Sequence, residues 1–410
     1  MKDVKLSLKA NTVWNLSGSL IQAFSNWIIL IIIAKLSTAE MVGVFTLGLA
    51  ITAPLLLLMR FHLRNAITSD VGYKYSFNEY YTLRTYSSIL FVISMIIIMF
   101  FYSIDTYSQI TIIVLSIGKY FESMSDIMQG YWQREERLDI VAKSRVINAL
   151  ASVIAFTITL WYTNSLLYGV CSLALIWILV YYMYDYRLVK KKQDVKLEFS
   201  KGKQMKLLRL TIPLGVAQLI ASLNANIPRY FIEYFFDLTT LGIFAAIIYI
   251  ITAGINFVIA IEAAIIPGLS RLFAAKEMSQ FKKYIMKLNT LIIVGCIIVS
   301  IVIYNYGSFI LELIYSSEYS GYGFEFFVIF IGGIFMYVNK IMETALTATR
   351  IFKVQPYINA LIMVMTVVFS FIIVPKHGIL GAGYLLIITG LIQLLIRVII
   401  LEILCKENLK

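Results

Sequence analysis

The 410-residue chain is 60% hydrophobic and only 14% charged, with a mean hydropathy of +0.84, which excludes a soluble globular protein and marks a polytopic membrane protein. Its 35 Lys and Arg against 23 Asp and Glu leave a formal charge of +12, and a basic membrane face against anionic lipid accounts for that surplus without nucleic acid. The three cysteines (Cys171, Cys296, Cys405) and two histidines (His62, His377) lack paired or metal-like spacing, so no disulfide framework, metal site or His-based triad is expected.

Runs of about 20 apolar residues place twelve spans, centred near residues 23, 51, 94, 118, 153, 175, 221, 254, 295, 336, 366 and 391. The first is too long for a signal-peptide core and lacks a clear cleavage site, so it reads as a retained span. The connections near 36, 105, 163, 237, 315 and 377 carry only Lys35, Arg229 and Lys376 as basic residues. The opposite set is far richer. Lys2, Lys5 and Lys9 precede the first span, Arg60, Arg64, Lys74 and Arg84 follow the second, and Arg134, Arg137, Lys143 and Arg145 follow the fourth. Arg271, Lys276, Lys282, Lys283 and Lys287 follow the eighth, and Arg350 and Lys353 the tenth. The positive-inside rule then puts both termini in the cytoplasm. The stretch 184–209 carries nine basic residues at the midpoint of the chain. It reads as a cytoplasmic linker (187–206) between two six-span lobes, 1–186 and 207–410, with positive-inside anchoring as its main role.

Polar residues recur along one helical face in two spans. Asn11, Asn15, Gly18, Gln22 and Asn26 form one row; Thr211, Gly215, Gln218, Ser222, Asn226, Arg229 and Glu233 form the other, at intervals of three or four residues. Such a face turns toward other helices or toward water, because lipid-facing polar groups are costly. Arg229 after Pro228 favours water, although an interfacial snorkel is the rival role for it. Each row is followed by a similar segment, GVFTLGLAI from Gly43 and GIFAAIIYI from Gly242, so the chain reads as built twice.

The repeat extends to charge. Lys119 and Glu122 in the fourth span are matched by Lys340 and Glu343 in the tenth, and Ile147-Asn148-Ala149-Leu150 is echoed by Ile358-Asn359-Ala360-Leu361. Two halves of the same orientation form a parallel repeat, expected to enclose a central cleft. At 1.5 Å per residue, both lysines lie near or just inward of the midplane, where a lone charge costs about 2.5–3.5 kcal/mol. The three-residue spacing lets each Lys neutralise its own Glu. These pairs are therefore either buried self-paired ions or a site where an anionic head group competes with the carboxylates and protonation resets it, with Asp126 one turn away as a further relay. Elsewhere, Arg60, His62, Arg64 and Arg271 either rim a cytoplasmic vestibule or anchor it, anchoring being the commoner role. Arg397, on one face with Gln393, lies close enough to the cytoplasmic end to snorkel, and Glu262 before Pro267 is similar.

No Gly-rich phosphate loop supports ATP hydrolysis, and no large external loop houses a glycosyltransferase or polymerase site. Gradient-driven transport remains. The opening N-T-V-W-N, the exit LMRFHLRNAITSD and, most specifically, LNANIPRYFIEYFFDLTTLGIFAA at 223–246 resemble the polysaccharide flippases of the multidrug/oligosaccharidyl-lipid/polysaccharide (MOP) superfamily, the O-antigen and capsule repeat-unit translocases. The resemblance covers essentially the whole chain, whereas peptidoglycan-precursor flippases of the superfamily have two further spans. It implies an all-α fold of twelve transmembrane helices in two six-helix lobes, alternating access, and an undecaprenyl-diphosphate-linked oligosaccharide turned from the cytoplasmic to the outer face of a bacterial plasma membrane. It also implies partners among membrane lipids and other polysaccharide-assembly proteins. The family's role for cavity cations carries over to Lys119, Arg229 and Lys340. Glu122, Asp126, Glu343 and Glu233 are the coupling candidates, with H+ or Na+ as coupling ion and no other cofactor. The polar cavity face is Asn15, Gln22, Asn26, Gln218, Ser222 and Asn226. A drug/cation antiporter of the superfamily, with buried carboxylates and few cavity cations, is the alternative; a membrane glycan polymerase is the alternative from another class.

Overall fold

A computed structural model describes residues 7–70, 72–349 and 354–407. Lys2, Lys5, Arg350 and Lys353, counted above in the basic set, lie outside them. Among the described residues there is no strand. The first half comprises α1 (Leu8–Leu36), α2 (Ala39–Arg60), the short α3 (Leu63–Ser69), α4 (Phe77–Phe101), α5 (Thr106–Arg134), α6 (Leu138–Thr163), α7 (Leu166–Val180) and α8 (Arg187–Lys190). The second comprises α9 (Lys201–Phe235), α10 (Leu238–Ala274), α11 (Met278–Ile314), α12 (Gly323–Ala348) and α13 (Val354–Glu407).

Among the described residues, ten apolar stretches are long enough to cross a membrane, and α13 counts once among them at 52 residues. At Gly378, however, φ 55 and ψ −128 break α13 into two helices, in a backbone region that only glycine enters without strain. Counting α13 twice and adding α5, which is 29 residues long but carries a polar face, gives the twelve helices expected. Every predicted span centre falls inside one of them. Asp side chains cap two helix starts: Asp105 accepts from Ser108 N at 3.0 Å before α5, and Asp237 from Thr240 N at 2.7 Å before α10.

The chain forms two compact units, Met1–Ser37 with Val44–Ser222, and Thr38–Gly43 with Leu223–Lys410. In the first, α5 packs against α4, α6 and α7, and α1 lies on α6; in the second, α12 packs against α10, α11 and α13. The two helices that carry the Lys-x-x-Glu pairs are thus the central helices of their units.

The stretch between α8 and α9 is not a slack tether. Lys196 N donates to Asn78 Oδ1 at 3.2 Å, Glu198 N donates to Thr82 Oγ1 at 2.8 Å, and Asn78 Nδ2 donates to Glu198 Oε1 at 2.8 Å. Lys203 pairs with Glu79 at 2.8 Å, so the segment is strapped along the start of α4.

Within the second unit, the first turn of α2 crosses the start of α10 with backbone on backbone. A Cβ at Gly43 would lie 1.8 Å from the Leu238 carbonyl oxygen, and one at Gly242 would lie 1.8 Å from that of Ala39. These are the glycines that open the two repeated segments, so the repeat supplies both sides of the crossing. Gly43→Ala is expected to destabilise by at least about 1–3 kcal/mol, read as a lower Tm of the purified protein. Gly295→Ala, where a Cβ meets nothing within 4 Å, should leave Tm unchanged.

Candidate functional site: a cation-rich cavity in the first unit

The polar face of α5 is longer than the Lys119–Glu122 pair, for Asp126, Gln129 and Gln133 continue it at three- and four-residue steps. Around this row the first unit forms an open cavity of about 380 Å3, lined by Gln22 and Asn26 of α1, by Arg60 and Arg64, by Ser144, Arg145 and Asn148 of α6, and by Trp177 and Asp185.

The two arginines reach the cavity because α2 stops abruptly. Phe61 and His62 both take left-handed backbone conformations (φ 46 and 54), and the turn brings the end of α2 and the start of α3 to the same side of α5. Arg60 then meets Glu122 at 2.9 Å while Lys119 donates to the other oxygen of Glu122 at 2.6 Å. Arg64 meets Asp126 at 3.0 Å, and Arg84 of α4 meets its second oxygen at 3.1 Å. Arg84 is completely buried and also donates to Ser123 Oγ at 3.3 Å. Arg64 further donates to Gln133 at 3.0 Å and Gln129 at 3.3 Å.

Arg145 reaches across from α6 to α1, donating to Ser19 Oγ at 2.6 Å and Asn15 Oδ1 at 3.3 Å. Asp185 sits on a π-helical turn, Tyr181–Tyr186, that interrupts the end of α7. It is 2% exposed, and among the described residues its Oδ2 has no hydrogen-bond partner. Interruptions of this kind re-aim a side chain, here toward the cavity. Four cations (Arg60, Arg64, Lys119, Arg145) and three carboxylates (Glu122, Asp126, Asp185) line the cavity, a formal surplus of one positive charge, and the fully buried Arg84 behind Asp126 adds another. Such a site attracts an anion, and guanidinium forks together with an ammonium suit phosphate oxygens.

The sequence-predicted residues distribute unevenly. Lys119, Glu122, Asp126, Gln22 and Asn26 come together in this cavity, with Asn15 at its edge through Arg145. Lys340 and Glu343 lie in the second unit, where Lys340 stands 3.6 Å from both Glu343 and Glu262. Arg397 does not snorkel: it is 3% exposed, donates to the Asn339 carbonyl at 2.5 Å and lies 3.5 Å from Glu343. This cluster has two cations and two carboxylates, and so no surplus. Of the long row on α9, Gln218 and Ser222 belong to the first unit, while Asn226, Arg229 and Glu233 belong to the second. There Arg229 donates to Asn226 Oδ1 and lies 5.7 Å from the centre of the Tyr249 ring.

Arg60 and Arg64 have cavity partners beyond the anchoring role commonly assigned to such residues, and Arg84, Arg145, Trp177 and Asp185 are site residues that pattern reading alone does not single out. The signal for them was the extension of the α5 polar face, which demands as many partners as it has polar groups.

A family model described as a polysaccharide biosynthesis protein matches residues 8–273. The capsular polysaccharide biosynthesis protein CapF of Staphylococcus aureus is 27% identical over 381 residues, spanning 92% of this chain and 95% of its own. The fold is similar to an inward-facing MATE-family multidrug resistance transporter of the MOP superfamily, with a TM-score of 0.76 at 14% identity over 94% of this chain and 96% of the other. It is also similar to the lipid II flippase MurJ in an inward closed conformation, with a TM-score of 0.71 at 13% identity over 94% of this chain and 86% of the other. The expected superfamily fold is therefore the observed one.

The charge network makes a graded stability prediction. Asp126→Ala strands Arg84, which is fully buried, and should cost about 3–5 kcal/mol. Glu122, whose side chain is 37% exposed and whose partners Arg60 and Lys119 keep some solvent access, should cost less than Asp126 when replaced by Ala. Thermal unfolding of the two variants in one detergent measures the order, and equal Tm values would remove Asp126 as the keystone.

Proposed function

The chain belongs to the polysaccharide biosynthesis protein family, and on that premise we propose that it is a flippase that moves an undecaprenyl-diphosphate-linked oligosaccharide from the cytoplasmic to the outer face of a bacterial plasma membrane by alternating access. The observation that carries this reading is the positive surplus of the first-unit cavity. A diphosphate is a compact polyanion. Arg60 and Lys119 share a single carboxylate, so an incoming diphosphate takes both cations while Glu122 is released to water or to a proton. That exchange stabilises the bound anion without leaving either cation unpaired, because each keeps an anionic partner before and after, while the half-exposed Glu122 is left to water or a proton.

Arg229 and Lys340 are proposed as later contacts for the same head group, with Gln218, Ser222 and Asn226 as polar lining. The coupling ion is proposed to be H+ or Na+, acting at Glu122, Asp126, Glu343 or Glu233. Two lobes, 1–186 and 207–410, joined by the basic segment 187–206, are proposed to move with both termini cytoplasmic. A reporter fused after Lys203 should then score as cytoplasmic. The cation surplus argues against a drug/cation antiporter, for which a net positive cavity repels the cargo.

Purified protein in proteoliposomes tests the site. Lys119→Ala should lower turnover of lipid-linked glycan at least tenfold at normal abundance, and Lys119→Arg should retain most of it. Lys340→Ala and Arg229→Ala should each impair turnover. Full turnover in Lys119→Ala/Glu122→Gln together with full turnover in Lys340→Ala/Glu343→Gln would remove these residues from substrate and proton handling and leave them a packing role.

A further inference from the structure

We infer that Trp177 is a positioning residue that seats the Lys119 ammonium for anion binding, a seat that its repeat counterpart Lys340 lacks; the inference rests on the reading of the cavity as a diphosphate site. The Lys119 ammonium lies 4.8 Å from the centre of the Trp177 ring while it donates to Glu122 Oε2 at 2.6 Å. An ammonium has three donors and no acceptor. The face of an indole attracts it through the ring quadrupole and shields it from water without consuming a donor in a conventional hydrogen bond. Lys119 is thus held in place by charge yet keeps N–H groups for a ligand in the cavity that Trp177 also lines.

The seat is built into the helix pair. A Cβ at Gly118 would stand 2.8 Å from Cε3 and 3.1 Å from Cζ3 of Trp177, and 3.2 Å from the Ala174 Cα. The indole can pack this close to α5, next to Lys119, only because position 118 has no side chain. In the second unit the residue preceding Lys340 is Asn339, whose amide donates to the Gly390 carbonyl at 2.8 Å. No ring lies over Lys340 among the described residues; instead it stands between two carboxylates, each 3.6 Å away. The repeat has therefore kept the lysine in both halves and changed what holds it: an aromatic face in one, a second carboxylate in the other. Only the first arrangement seats the ammonium against an aromatic face on the wall of a cation-rich cavity.

Inorganic diphosphate binding to the purified full-length protein in nanodiscs tests this by titration and by tryptophan fluorescence. Trp177→Phe, which keeps a ring, should bind about threefold more weakly, and Trp177→Leu roughly tenfold more weakly. The decisive measurement is coupling: Trp177→Leu/Lys119→Ala should bind no more weakly than Lys119→Ala alone, because the ring acts through the lysine. Diphosphate should also perturb the fluorescence of the unsubstituted protein and of Lys119→Arg more than that of Trp177→Phe. Binding by Trp177→Leu within twofold of the unsubstituted protein, additive losses in the double variant, or no diphosphate binding to the unsubstituted protein would each overturn the inference. If binding follows the expected pattern while proteoliposomes turn over no lipid-linked glycan, the flippase reading falls and the seat stands.

Discussion

One carboxylate shared by two guanidinium groups underlies the first unit. Asp126 receives Arg64 on one oxygen and Arg84 on the other, and so ties α3 and α4 to the central helix at a depth where neither arginine is well solvated. Glu122 repeats the device one turn earlier with Lys119 and Arg60. Isolated, any of these charges would carry a desolvation cost of several kcal/mol. Interlocked, they tolerate burial and present a net positive lining. The same network therefore answers two demands, holding helices together where polar contacts substitute for the hydrophobic effect, and giving the cavity its sign.

The second unit shows what happens when the same pattern is balanced differently. Its central helix also carries Lys and Glu three residues apart, but Glu262 of α10 and Arg397 of α13 complete a neutral set of four. Electrostatics thus distinguishes two halves that their architecture makes alike.

What the sequence made legible follows from which signals are local. Span number, the break near residue 377 and the Lys-x-x-Glu repeat are written in short windows, and the structure has a helix or a break at each. The arginine partners are not local. Phe61 and His62 carry no turn signature, being neither Gly, Asn nor Pro, so the reversal that aims Arg60 and Arg64 inward has no mark in the residue types that form it. Arg84 looks like any basic residue near a span end, and its partner lies 42 residues downstream. Asp185 owes its direction to a π-helical turn that rests on one extra residue in an otherwise regular helix. Counting charges by side of the membrane is blind to all three, since it records where a residue falls along a span and not what it faces.

The complete burial of Arg84 has a consequence for how the chain is made. Helix α4 leaves the ribosome before α5, and at 5–20 residues per second the carboxylate that neutralises Arg84 follows about 2–8 s later. Throughout that interval α4 holds a guanidinium with no acid to meet it. Arg84 sits only two turns from the start of its helix, near enough to the membrane surface to wait there in contact with water and headgroups. Its withdrawal into the bundle is then a late step of assembly, timed by the arrival of α5, and a nascent chain stopped before Asp126 is left with an arginine that has no reason to leave the interface.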